Sequence, residues 1–275
     1  MNLRASFWGL LASLTSVFAQ ATPAVATQLI DVDGHKIAFH VTPGHEPTIV
    51  LDAGGGLDSS YWDSLVPELA KRTGSKVITY DRAGMGSSED VSGDWNVHAA
   101  TRDLAVGLKK LHATRHVILV SHSLAGEIAT YLVGQHPEWF IGGVLVDANV
   151  PDVFTNEAIS RMQVIYAPIL AQIRASAPTK PGRQLLALSG SFVETSRAFH
   201  AATWPALVPA IVIVSEKTPF EEPADAQWWR DAHAQFAKRA PNRRLVTAAG
   251  SSHDVAHDRP DVILSAIADL AAKHP

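Results

Sequence analysis

The stretch Val117-Ile118-Leu119-Val120-Ser121-His122-Ser123-Leu124-Ala125-Gly126 decides how this chain is to be read. An unbroken apolar, largely β-branched run ends in a turn of small residues, and a helix-like segment follows. A continuous apolar run of this length fits a strand buried on both faces of a parallel sheet. A tight strand-to-helix turn at its end lifts a serine hydroxyl above the sheet. The second residue on either side of such a serine lies close to neighbouring backbone, so glycine is common there. Here Ser121 and Ala125 supply small side chains instead.

Working outward, the C-terminal loop Ala249-Gly250-Ser251-Ser252-His253-Asp254 follows the strand-like Arg244-Leu245-Val246-Thr247. A histidine on a glycine-containing loop has the titration range and the freedom of position that a general base needs. Upstream, the apolar run Thr48 to Leu51 leads into Asp52-Ala53-Gly54-Gly55-Gly56. A glycine-rich turn there can aim a backbone N–H at a developing oxyanion. Between the two lies Thr79-Tyr80-Asp81-Arg82-Ala83-Gly84-Met85-Gly86-Ser87-Ser88, another strand end with a tight turn, which Asp81 and Arg82 are placed to tie down.

The Tyr-Asp-Arg-x-Gly-x-Gly-x-Ser turn, the serine elbow and the Gly-Ser-x-His loop resemble, in order and spacing, those of α/β-hydrolase-fold proteins. The resemblance runs from about Gln28 to the C-terminus. It implies an α/β fold: a mostly parallel eight-stranded sheet, helices on both faces, and a small helical cap over the active site. It also implies a Ser-His-acid mechanism with Ser123 as nucleophile and His253 as base. The backbone N–H of Leu124 would be one oxyanion donor and the Gly54–Gly56 loop would give the other, with Gly55 the best placed. The chain departs from the family pattern in lacking both elbow glycines. Its first glycine-rich loop reads Asp-Ala-Gly-Gly-Gly rather than beginning His-Gly.

Two residues compete to be the acid. Asp147 ends the strand-like Val144-Leu145-Val146, and Glu216 follows Ile211 to Ser215. Most family members carry the acid after the later strand. Relatives such as the haloalkane dehalogenases carry it at the earlier strand end, followed by alanine, and Asp147-Ala148 resembles that arrangement. Asp147 is the preferred acid and Glu216 the alternative. His122, beside the serine, is expected to order the elbow.

The remaining chain fits this frame. Leu29–Val32 and Lys36–Val41 flank Asp33-Gly34, a strong hairpin signal. The runs Thr48–Leu51, Val77–Tyr80, Val117–Val120, Gly143–Val146, Ile211–Val214 and Leu245–Thr247 alternate with helical patterns, which predicts a covered parallel sheet. One helix is expected between Asn96 and His112 on the spacing of Leu104, Leu108 and Leu111. Another is expected after Pro223, with Trp228, Ala232 and Phe236 in the core. Residues 151–205 break the alternation: Ile159, Met162, Ile165, Ile169 and Ile173 recur at helical spacing, with turns around Lys180 to Arg183. This is the expected cap, set within one domain over residues 27–275.

Residues 1–26 read as a secretory signal and flexible mature N-terminus. Arg4 precedes an apolar stretch from Ala5 to Ala19 that is short for a bilayer span, and small-residue cleavage sites follow. The expectation is a secreted or periplasmic protein with no stable membrane insertion after cleavage. With no cysteine, stability must come from the core alone. A net charge of −4 without basic runs gives no sign of a nucleic-acid partner.

No cofactor is expected. Gly54-Gly55-Gly56 lacks the Gly-Lys-Ser/Thr of a phosphate-binding loop, and His253 with His257 lacks the glutamate of a zinc helix. The expected partner is a small ester or lactone; the alternatives are amide or carbon–carbon bond hydrolysis by the same triad, or binding on a degenerate scaffold. Activity should fall on the acid side as His253 protonates.

Overall fold

The computed structural model describes residues 24–272. The signal sequence expected in residues 1–26 lies almost wholly outside them. The chain builds one eight-stranded sheet from β1 (Ala26–Asp31), β2 (Lys36–Thr42), β3 (His45–Asp52), β4 (Ser75–Asp81), β5 (Val117–His122), β6 (Phe140–Val146), β7 (Ala210–Ser215) and β8 (Arg243–Ala248). The strand order is β1-β2-β4-β3-β5-β6-β7-β8. β1 and β2 pair antiparallel, as do β2 and β4, and every later pairing is parallel. The β1–β2 hairpin turns on Asp33 and Gly34, both at positive φ, and the N–H of Val32 donates to the carbonyl of His35. That is the primed turn whose twist matches paired strands.

Helices cover both faces, and the period of the strands assigns residues to them. On β5, Val117 and Leu119 join one core cluster with Leu104 and Leu108 of α2 (Val97–Lys110), Ile128 and Leu132 of α3 (Ala125–Gln135) and Phe236 of α6 (Pro223–Lys238). The alternate residues Ile118 and Val120 join a second cluster with Leu69 of α1 (Val66–Thr73) and Ile263 and Ile267 of α8 (Pro260–Ala271). Burying both faces is what makes the strand sequences continuously apolar. A one-turn α7 (Val255–Asp258) precedes α8.

The insertion lies within the expected residues 151–205. α4 (Asn156–Ala175) and α5 (Lys180–His200) are two long helices packed as a pair. Lys180 to Arg183, read as turn, instead opens α5. Pro181 sits at its first positions, where the missing N–H costs nothing, and the Thr179 hydroxyl accepts from the Gly182 N–H. Ala158, Ile159 and Met162 are the buried residues of α4, so its later turns stand away from the core.

The parallel strands place their C-terminal ends side by side. Asp52 is in register with Ser121, His122 with Val146, and Ser215 with Ala248. Ligands of open α/β sheets bind beyond this edge.

Candidate active site

Ser123 lies between β5 and α3 at φ 52°, in the left-handed region that a β-substituted residue rarely adopts. Its carbonyl accepts from the N–H groups of Gly126 (3.0 Å) and Asn149 (2.8 Å), and its own N–H donates to Val146. The close approach that limits side-chain size falls at Gly126. A Cβ there would sit 2.2 Å from the Asn149 carbonyl oxygen. Ser121 and Ala125, at the usual glycine positions, are fully buried.

The structure brings Ser123, His253 and Asp147 into one chain of contacts. His253 Nε2 is 3.0 Å from Ser123 Oγ, and His253 Nδ1 donates to Asp147 Oδ2 at 2.6 Å. With Nδ1–H held by the carboxylate, Nε2 carries the lone pair that faces the serine hydroxyl. The carbonyl of His253 accepts from Nε2–H of His122 at 3.0 Å. The His122 ring also stacks on Tyr61 at 4.7 Å. Burial, then the neighbouring His253, pull the His122 pKa down to about 3, so this ring stays neutral.

Asp147 occupies a socket of donors at the end of β6. Oδ1 accepts from Ser215 N–H (3.0 Å) and Trp229 Nε1–H (2.8 Å), and Oδ2 accepts from Ser215 Oγ (2.6 Å) as well as from His253. Burial pushes its pKa up, but the hydrogen bond and charge of His253, with help from His233 and Ser215, outweigh it and leave about 2. Asp147, too, has a positive φ of 44°. Glu216, the alternative acid, does not reach His253. It is exposed, and its Oε2 accepts from the N–H of Gly250 at 2.8 Å, tying the end of β7 to the histidine loop.

The glycine-rich loop is clamped from below. Buried Arg82 ion-pairs with Asp52 and donates to the carbonyls of Ala53 and Gly54, while Tyr80 Oη donates to Asp52 at 2.8 Å. Asp81 accepts from Ser59 N–H, Ser87 N–H and His40. Burial opposes its ionisation, but those donors hold its pKa well below the usual carboxylate range.

The amides above this clamp are not equivalent. Gly56 N–H donates to Gln184 Oε1 of α5 at 2.7 Å. Among the described residues, the N–H groups of Gly55 and Leu124 have no protein acceptor. Both residues border the cavity that holds Ser123 and His253. This cavity has a volume of about 570 Å³ and lies between the strand ends and the cap helices. Its walls include Phe154, Met162, Leu188 and Phe192, with the polar Glu127, Gln163 and Arg174 among them.

The profile of the "Alpha/beta hydrolase family" matches residues 49–266, most of the chain. The chain belongs to the α/β-hydrolase family. Among curated proteins it is 26% identical over 231 residues to the uncharacterized protein YqjL of Bacillus subtilis (81% of this chain, 83% of that one). It is 23% identical over 258 residues to the sn-1-specific diacylglycerol lipase ABHD11 of Mus musculus (82% and 81%). Among solved structures, mouse alpha/beta hydrolase domain-containing protein 10 superposes with TM-score 0.67 at 18% identity, over 92% of this chain and 100% of that one. A thermophilic esterase from Thermogutta terrifontis gives 0.61 at 19% (91% and 98%). The enol-lactonase from Burkholderia xenovorans LB400 gives 0.60 at 21% (89% and 100%). At these identities the structural likeness carries the fold alone.

Three residues of the site escaped the sequence reading. Trp229, rather than Trp228, turns fully inward and reaches Asp147. Gln184 ties the cap to the glycine loop from the residue just after the turn expected at Lys180 to Arg183. Glu127, buried in the first turn of α3, also borders the cavity. His257 hydrogen-bonds Asp254 at 2.8 Å, and both ring nitrogens of His253 are engaged elsewhere. Among the described residues no three His, Cys, Asp or Glu side chains gather as metal ligands, and no helix is long and apolar enough to cross a membrane.

Proposed function

We propose that this hydrolase cleaves carboxylic esters or lactones through a serine acyl-enzyme. The reading rests on one observation: the unbroken contact from Asp147 through His253 to Ser123 at a cavity floor beside two unpaired amides. In this mechanism Ser123 Oγ attacks the carbonyl carbon as His253 Nε2 takes its proton. The resulting oxyanion receives hydrogen bonds from Leu124 N–H and Gly55 N–H. A donor of this kind contributes about 2.7–4 kcal/mol to the transition state. The imidazolium then gives its proton to the leaving alkoxide, and the C–O bond breaks. Water, deprotonated by the same histidine, attacks the acyl-enzyme and releases the acid and the free serine. Asp147 holds the imidazole in the productive tautomer and stabilises its charged form.

The cavity's apolar walls favour ester or lactone substrates of modest size. The Arg4-led apolar segment supports export to the periplasm or medium, where the cysteine-free chain does not depend on disulfides. Fluorophosphonate labelling with peptide mapping tests the mechanism. The expected result is one adduct per chain, on Ser123, and p-nitrophenyl butyrate hydrolysis that disappears in Ser123→Ala. Hydrolysis that persists in Ser123→Ala, or no adduct where a known serine esterase labels fully, overturns the reading.

A further inference from the structure

Among the buried acids of the described residues, the mechanism leaves the one beside the elbow, Glu127, without a task. Glu127 is 4% exposed and stands one helical turn, roughly 6 Å along α3, beyond Ser123. Its Oε1 accepts from Asn149 Nδ2 at 2.7 Å, and the Asn149 backbone N–H donates to the Ser123 carbonyl at 2.8 Å. The pair is therefore fixed to the elbow itself. No hydrogen bond from the described residues reaches Oε2, and no cationic side chain among them acts on this carboxyl. Glu127 also borders the cavity that contains Ser123. The other buried residues on α3 are apolar or small, apart from Thr130, whose hydroxyl donates to the Gly126 carbonyl. Burial pushes the Glu127 pKa up to about 7, against the opposing pull of the Asn149 amide. A carboxyl held there without a structural partner for its second oxygen is poised for a ligand.

Resting on the serine-hydrolase reading, we propose that Glu127, held by Asn149, is a specificity-determining residue that takes a hydroxyl group of the substrate, selecting hydroxyl-bearing esters over plain alkyl esters. A hydroxyl fits this position for a chemical reason. It donates to the carboxylate and accepts from the carboxylic acid, so it satisfies Oε2 in either state. An ammonium group satisfies only the carboxylate and must itself be stripped of water in a largely apolar cavity.

The test compares kcat/KM within matched ester pairs: ethyl 3-hydroxybutyrate against ethyl butyrate, and 2-hydroxyethyl butyrate against propyl butyrate, with butyrylcholine as the cationic probe. In the wild-type enzyme one hydroxyl ester should exceed its alkyl partner by about tenfold, the worth of one buried hydrogen bond. Glu127→Leu should bring that ratio to about one, and Glu127→Gln, which keeps a polar group of the same shape, should retain most of it. A ratio within one preparation does not depend on the fraction folded, so partial misfolding of a variant leaves it readable. Equal kcat/KM for both pairs in the wild type, or a ratio that survives Glu127→Leu, overturns the proposal. Butyrylcholine as the preferred substrate, with that preference lost in Glu127→Gln, overturns it in favour of a cation site. If p-nitrophenyl butyrate is turned over while the ratios behave in these ways, the hydrolase reading stands and only the role of Glu127 falls. If no ester is turned over and no fluorophosphonate adduct forms, both fall together.

Discussion

Two buried carboxyl groups flank the elbow, and their surroundings drive them in opposite directions. At the end of β6, Asp147 has no exposure and four donors on its two oxygens, yet the hydrogen bond and charge of His253, with His233 and Ser215, outweigh burial and hold its pKa near 2. On α3, Glu127 is almost as deeply buried but has one amide donor, and its pKa rises to about 7. Burial alone therefore does not set the charge of an acid in this cavity; the donors and neighbouring charges aimed at it decide. The first carboxyl is built to remain an anion. The second is left able to exchange protons and partners.

The largest effect should come from cancelling the first anion. Asp147→Asn keeps the shape but removes the charge and allows the wrong imidazole tautomer, so kcat for p-nitrophenyl butyrate should fall by about 10⁴-fold. Glu216→Gln, at the exposed tie to Gly250, should change kcat by less than about threefold. A reversal of these two results breaks the comparison at its root.

The second carboxyl should register in stability. Its folded-state pKa of about 7 lies above the ordinary 4.5, so the folded chain binds this proton more tightly than the unfolded chain does. Below pH 4.5 the group contributes no change. Between 4.5 and 7 stability falls as pH rises, and above 7 the loss is complete, on the order of 3 kcal/mol. Denaturant unfolding of Glu127→Gln against wild type should therefore show a stability difference that shifts in favour of the variant from pH 5 to pH 8. A difference that is the same at both pH values would show that Glu127 is already ionised in the folded chain across this range.

A smaller effect sharpens the role of donor number. Trp229→Phe removes one of the four donors on Asp147 while keeping an aromatic ring in the core. Its kcat should fall about tenfold with KM little changed, as expected for one charge-assisted hydrogen bond. An unchanged kcat would mean that three donors suffice.

Much of this arrangement was legible because its parts follow local rules. Each of Ser123, Asp147 and His253 ends or follows an apolar run, and the end of a buried strand is recognisable without knowing its neighbours. The Asp33-Gly34 hairpin is equally local. What was not legible depends on direction or on distant partners. Trp228 and Trp229 are adjacent, and helical spacing cannot decide which of the two faces Asp147. Lys180-Pro181-Gly182 carries the letters of a turn, but the Thr179 cap and an early proline make it the start of a helix. Glu127 in the first turn of α3 looks like an ordinary complement to the helix dipole. Only the packing of Asn149 and the cap above it gives that carboxyl a different setting.

The backbone at Ser123 and Asp147, with φ of 52° and 44°, carries one more consequence. A side chain held in that region costs roughly 1–3 kcal/mol, and glycine would relieve most of it. Selection for folding alone would drift toward glycine at both places, which are the positions where the proposed reaction needs a hydroxyl and a carboxylate. In the proposed mechanism these are two places where a cost in folding coincides with a chemical need, unlike Asp33, His112 and His116, which share the positive φ without a role in the site. Descendants that lost the chemistry should betray themselves first at these two codons, well before the sheet beneath them changes.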